Sequence, residues 1–387
     1  MNALRRESVF EDDGMKLRVN LLSFHDMDED MIKQWYDLEK RSKDGNAYLS
    51  PSFILPAIKY LTPSRTPSFM TVTKISDSTS VLIGLGIFEY SAGTKYFPFP
   101  HLTAYRTLYS FVNRLLIDDE HIQASINAIF NFTKSMHGIF GIELFDVIEN
   151  SELSRQLDTA SIHSGMPYYL YNRKKRSIIT PKNVYDNDVQ NSSTCKKRRS
   201  FRKEYKYLSK IGTVQWKIVS GHQVDEIVIS RFMEIENMGW KGEEKTSLLS
   251  NPDDERFFRE TIRNFSRDDR VFFTELMVND KVISSTANFI SSHAGYAFKI
   301  GMDPAFAKGC PGKINDIELV KNADKLFFQF DYIDSGAEEG SYIDEIYPGR
   351  YVLRSGIFAT KKAVVPVMDI LGIMRRLKRR FFSASSG

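Results

Sequence analysis

Crowded runs of β-branched and aromatic residues alternate along the chain with segments whose apolar positions recur every three or four residues. Runs of the first kind predict strands, and the second kind predicts helices with one buried face. In the first half the pattern predicts strands over 16–24, 68–76, 81–90, 138–148 and 168–172, and helices over 28–42, 50–61, 119–136 and 151–158. The runs SFMTVTKIS and VLIGLGIFEY, separated by DSTS, read as an antiparallel hairpin. The second half opens with a basic helix over 197–209, then a strand over 213–220 and helices over 223–239 and 253–265. Three strands follow, over 271–279, 281–290 and 295–301, with ND and SSHAG at the turns. A helix over 313–327 carries Ile314, Ile317, Val320, Ala323 and Leu326 on one face, and strands over 329–336 and 350–360 complete a mixed sheet.

Between the halves, RKKRSIITPKNVYDNDVQNSSTCKKRRSFRK is polar and basic, the character of a connection. This divides the chain into residues 1–180, a polar linker over 181–195, a second domain over 196–365 and a basic amphipathic tail over 366–387. With 387 residues, 42% of them hydrophobic, the chain can bury two cores. The two halves share no sequence repeat, so a duplicated α+β architecture rests on element order alone.

Charge narrows the choice of partner. The 53 basic and 49 acidic residues leave a net +4, so DNA is not an expected partner. Cys195 and Cys310 stand far apart and the seven histidines are scattered, which disfavours disulfides and a metal site. The amino end has no apolar signal core, and no uncharged run is long enough to span a membrane, so a soluble, cytoplasmic protein is expected. The tail, with Arg375, Arg376, Lys378, Arg379 and Arg380 among apolar clusters, suits either an anionic membrane surface or a solvated end.

The segment IGMDPAFAKGCPGKINDIELV passes from a strand through a Gly/Pro knot into a helix. The first amides of such a helix lack internal partners and, with the macrodipole, suit phosphate or pyrophosphate. Gly312 would let a ligand approach closely and Lys313 would add charge; the alternative is a plain strand-to-helix turn. The knot is neither a Walker loop, since Ala307 and Ile314 stand at its required positions, nor a dinucleotide GxGxxG.

In order, strand, MDPAFAKGCPG, helix and FDYIDSG resemble the core of GNAT acyltransferases, with Pro304, Phe306 and Gly312 matching their pyrophosphate loop. Ala307 and Cys310 depart from that loop. Together with CKKRRSFRKEYKYLSKIGTV and FMEIENMGWKGEE, they resemble the Fem-like double-GNAT proteins often called cellulose-biosynthesis acetyltransferases, over about residues 196–360. The resemblance implies two tandem GNAT-like (acyl-CoA N-acyltransferase) domains, each a mixed, mostly antiparallel sheet flanked by helices. It also implies acetyl-CoA or another acyl-CoA as co-substrate, bound by Ile300, Met302, Gly309, Cys310, Pro311, Gly312 and Lys313. A further departure is Ile343, which follows Tyr342 where the family commonly has lysine.

Direct attack on a thioester needs alignment, a proton acceptor and oxyanion stabilisation, but no covalent nucleophile. Cys310 is therefore read as a small spacer. Glu236, four residues before Trp240, is placed on one helix face with it, as a base or a holder of an acceptor hydroxyl, while Trp240 stacks on a sugar and Lys241 and Gly242 lead into the next loop. Alternation in strand 295–301 puts Tyr296, Phe298 and Ile300 on one face and Lys299 on the other. Asp331 and Tyr342 complete the candidate set. The function this supports is acyl transfer to an amine or hydroxyl of a saccharide or envelope-polysaccharide precursor. A Fem-like aminoacyl transfer from charged tRNA and an inactive GNAT scaffold stand as alternatives.

Overall fold

The computed structural model describes residues 6–62, 64–77, 79–181, 195–326 and 331–372. In the first half, strands β1 (Arg6–Asp12), β2 (Met15–Ser23), β3 (Ser68–Ile75) and β4 (Ser80–Ser91) form an antiparallel run. The short β5 (His101–Ala104) follows, and β6 (Leu116–Ile117) pairs with β4 off the main path. Helices α1 (Glu29–Arg41), α2 (Pro51–Pro56), α3 (Ile122–Ser135) and α4 (Glu152–Ser164) cover this sheet, which continues through β7 (Gly141–Ile148) and β8 (Tyr168–Ile179). β1 comes from the charged amino end. Asp13 and Gly14 both take positive φ and close a two-residue hairpin onto β2, the geometry that Asp-Gly favours.

The second half begins with α5 (Cys195–Ile211) and β9 (Val214–Ser220), then α6 (Glu226–Asn237), the single turn α7 (Trp240–Glu243) and α8 (Pro252–Arg267). Strands β10 (Val271–Val278), β11 (Lys281–Ser291) and β12 (Ala294–Met302) form an antiparallel meander. A 3₁₀ stretch, Pro304–Gly309, leads to α9 (Pro311–Lys321), then β13 (Tyr332–Asp334), a 3₁₀ turn over Tyr342–Glu345 and β14 (Gly349–Ala359). α9 is shorter than expected: Pro311 starts it, and Asn322, whose side chain donates to the Glu318 carbonyl at 2.8 Å, caps its end.

Each half has one parallel pair among the described residues, β5 with β7 and β12 with β13. The sequence reading gave the last strand to the second half. Instead β14 lies between β7 and β8 of the first, and β8 also pairs with β13, so the described strands form one continuous sheet. A shared core backs it: Phe53 of α2 meets Phe257 of α8 edge-on at 5.3 Å, and Tyr48 packs on Tyr296. Residues 182–194, most of the expected linker, and 373–387, which hold the tail's basic cluster, lie outside the described residues.

Candidate active site

Among the described residues, β12 and β13 bond only through Ala294–Tyr296 and Tyr332–Asp334. Beyond that point β12 runs on to Met302, while the chain after Asp334 turns away at Gly336, where φ is +64° and an added Cβ would lie 2.5 Å from the Ala297 carbonyl oxygen. The parting strands open a cavity of about 210 Å³ lined by Phe298, Lys299, Ile300, Asp316, Tyr342 and Ile343 among others. A bulge shapes its wall: Ala287 pairs with Lys299 and Asn288 with Ala297, which leaves Phe298 without a partner residue on β11. The bulge also corrects the expected alternation. Phe298 and Lys299 both reach Tyr109, at 6.2 Å between rings and 4.5 Å from Nζ to ring, whereas Ile300 faces α9.

The knot closes α9 onto this strand. Asp303 Oδ1 accepts from the Ala305 amide at 2.9 Å, Cys310 takes the left-handed conformation, and Pro311 occupies the first helical position. A Cβ on Gly312 would come within 3.2 Å of Ile300 Cδ1 and 4.0 Å of Met302 Sδ, so this glycine sets how closely helix and strand approach. Gly309 is packed against Leu208 of α5 and faces that helix. Among the described residues no side chain caps the helix start, but a carboxylate stands near it: Glu204 of α5 lies 3.4 Å from Lys313 Nζ and also bonds the Cys310 thiol. Burial first, and that carboxylate second, push the thiol pKa up, which suits a spacer better than a nucleophile.

Further along α9, Asn315 donates to the Thr274 carbonyl at 3.1 Å and accepts from Trp216 Nε1 at 2.8 Å, pinning the helix to the sheet. Asp316 is buried beside it and accepts the Tyr342 hydroxyl at 2.8 Å. Burial pushes its carboxyl up to about 7, with the Tyr342 hydrogen bond opposing the rise. Burial and the Asp316 charge in turn raise the Tyr342 hydroxyl far above its ordinary value.

Behind β12, Glu236, Lys241 and Lys299 form one cluster. Glu236 is buried; its Oε2 accepts from the Leu248 amide at 2.9 Å, and its Oε1 lies 3.2 Å from Lys241 Nζ and 3.6 Å from Lys299 Nζ. Lys241 also donates to the Ile300 carbonyl at 3.0 Å. Gly301 permits this closeness, since a Cβ there would lie 2.7 Å from the Glu236 backbone nitrogen. Burial lowers the Lys299 pKa, the Glu236 charge opposes the fall and Lys241 adds to it.

Other expected residues sit elsewhere. α6 ends at Asn237, so Trp240 does not share a helix face with Glu236 and is 58% exposed. Gly242 is held tightly against the Asn237 carbonyl in the turn. Tyr296 is buried toward the first half and donates to the Gly45 carbonyl. Asp331 is exposed at the opposite end of β13, where its amide donates to the His293 carbonyl at 2.7 Å. Sequence reasoning missed Tyr109 and Asp316.

Residues 195–342 match the family described as acetyltransferase (GNAT) domain. The chain resembles the crystal structure of FemX, at 10% identity and a TM-score of 0.53, over 87% of this chain and 98% of that one. It is also similar to L-PGS from Bacillus licheniformis, at 10% identity and a TM-score of 0.51, over 89% and 95% of the two chains. A third similar structure is the C-terminal domain of a protein described as a lysylphosphatidylglycerol synthetase from Agrobacterium fabrum, at 8% identity and a TM-score of 0.52, over 88% and 94%. No curated protein matches the chain. The second half therefore carries a GNAT acetyltransferase domain, and the fold is of GNAT type, a large mixed sheet with flanking helices.

Proposed function

We propose that the second half moves an acetyl or other acyl group from coenzyme A to an amine or hydroxyl of a saccharide or envelope-polysaccharide precursor, by direct attack in the wedge between β12 and β13. The observation that carries this is the wedge itself: a strand edge released beyond Tyr296, bulged at Phe298, with a glycine-tipped helix packed behind it.

The acyl-CoA thioester supplies an activated acyl group, and this chain's residues fit its pantetheine arm along residues 297–302. The bulge leaves Phe298 without a partner residue on β11, and its amide serves to polarise the thioester carbonyl. The Tyr342 hydroxyl, protonated at working pH and held by Asp316 in the free protein, turns from that carboxylate to donate to the leaving sulfur. Burial lowers the Lys299 pKa, so its neutral amine, formed by loss of a proton to solvent, takes the acceptor's proton. Glu236 accepts from the Leu248 amide and faces the Nζ of both lysines, so it serves as a positioning residue for Lys299 and Lys241.

Titration calorimetry with acetyl-CoA tests this reading. Binding is expected, and it tightens in Glu204→Gln, which removes the negative charge beside the helix tip. Absence of binding by both proteins sinks the acyl-CoA reading. The placement of Glu204 also favours a second reading, transfer from aminoacyl-tRNA, because that carboxylate opposes a diphosphate at the tip. Product from charged tRNA without coenzyme A distinguishes the two.

A further inference from the structure

The first half holds a cleft of its own, built on the other parallel pair. β5 and β7 bond through Leu102–Thr103 and Ile142–Glu143. Where they part, a cavity of about 430 Å³ opens, a size within the range of small-molecule sites.

Its floor is a wired carboxylate. Glu143 is buried and accepts from Thr103 Oγ1 at 2.6 Å and the Tyr171 hydroxyl at 2.7 Å. Fully buried His101 stands 3.5 Å from the same carboxylate, its other ring nitrogen 2.7 Å from the Phe99 carbonyl. Burial raises the Glu143 pKa, but the bonds from His101, Thr103 and Tyr171 outweigh it and hold the group below its ordinary value. One wall is the stacked pair Tyr96 and Tyr171, with centroids 4.5 Å apart and planes 9° from parallel.

The opposite wall carries a strained residue. Asp146 takes φ +54° in the middle of β7, at a bulge where Phe145 and Asp146 together oppose Ser355. A non-glycine residue held in this conformation is costly and marks a side chain that the surrounding structure re-aims. Its carboxylate lies 3.3 Å from Lys174 Nζ, which also lines the cleft. Arg65 is bound by Glu89. Arg106 differs: it is exposed, lies 4.0 Å over the Phe145 ring, and has no carboxylate within salt-bridge distance among the described residues. Four cationic side chains and three carboxylates line the cleft, leaving one positive charge in excess.

We propose that this cleft is a second ligand site, taking a small hydroxylated monoanion of the sugar-acid class, with the anionic group on Arg106 and the hydroxyls on Glu143 and Asp146. A guanidinium presents a fork suited to carboxylate, and ionised carboxylates are strong acceptors for sugar hydroxyls. The site is independent of the acyl-transfer reading, because none of these residues lines the β12–β13 wedge.

The test is calorimetric titration of the full chain, without acyl-CoA, by D-glucuronate, D-glucose and D-glucosamine. Glucuronate is expected to bind at least tenfold more tightly than the other two, and to lose at least tenfold in Arg106→Gln. Asp146→Gly is expected to raise the thermal midpoint by relieving the backbone while weakening glucuronate, a pairing that a purely structural Asp146 would not give. Equal binding of the three sugars, no heat with any, or unchanged glucuronate affinity in Arg106→Gln overturns the proposal.

Discussion

Asp316 is buried on the sheet side of its helix, with the Tyr342 hydroxyl as its described partner, and its pKa rises from 3.8 to about 7 mainly through burial. Since the folded value lies above the unfolded one, the protonated carboxyl favours the folded state. That contribution is complete below about pH 4 and is lost as pH rises through about 7. Asp316→Asn keeps an acceptor for Tyr342 and cannot ionise. Wild type should therefore lose stability relative to the variant over this window, by on the order of 4 kcal/mol, read as the gap between urea midpoints at about pH 4 and pH 8. A constant gap would mean that the carboxyl ionises normally. Lys299 gives a second test with the opposite charge. Its pKa is lowered by burial against the pull of Glu236, so Glu236→Gln should lower it further. The pH dependence of Lys299 amine labelling, followed by mass spectrometry, should shift to lower pH in the variant; an unmoved midpoint would show that the two groups are uncoupled. Glu236 and Lys241 were legible through the segment FMEIENMGWKGEE, and Lys299 through its place within a strand. Asp316 was not, because a carboxylate in a helix pattern reads as solvent-facing until the partner element is known.

Strands and helices with clear periodicity were legible, and so were turns with two left-handed residues such as Asn279 and Asp280, which close β10 onto β11. Asp13-Gly14 carries the same signal, but charged residues on both sides hide β1, and no strand is predicted before residue 16. β5 and β6, with four and two residues, are too short to show a period. β8 extends to Ile179 because β14 pairs along it, so RKKRSII, basic enough to read as linker, is strand. The bulge at Phe298 defeats strict alternation and moves Lys299 to the face opposite to the one expected. The tight seating of α6 on β12 depends on a missing side chain. Gly301→Ala should place a methyl 2.7 Å from the Glu236 nitrogen, displace the Glu236 cluster and cost about 1–3 kcal/mol. The urea midpoint reads the cost, and an unchanged value would show that the helix can shift freely.

Long-range pairing is what the sequence conceals most. The halves are stitched by β14 between β7 and β8, by the common core around Phe53 and Phe257, and by an ion pair in which the half-buried Arg270 Nη1 meets the buried Glu39 Oε1 at 2.7 Å. Glu39 also accepts from Ser291, and burial raises its pKa despite these partners. Removing the guanidinium in Arg270→Met strands this carboxylate, at a cost of about 3–5 kcal/mol. Because the core is shared, that loss should be felt by both halves at once. The tryptophans allow this to be seen, since Trp35 lies in the first half and Trp216 and Trp240 in the second. Variants that keep only Trp35, or only the other two, should each unfold in urea at one midpoint shared by tryptophan fluorescence and far-ultraviolet circular dichroism. In the Arg270→Met background both midpoints should fall together. Separate transitions, or a shift confined to one reporter, would mean that the continuous sheet does not make the halves one cooperative unit, and that each cleft rests on its own half alone.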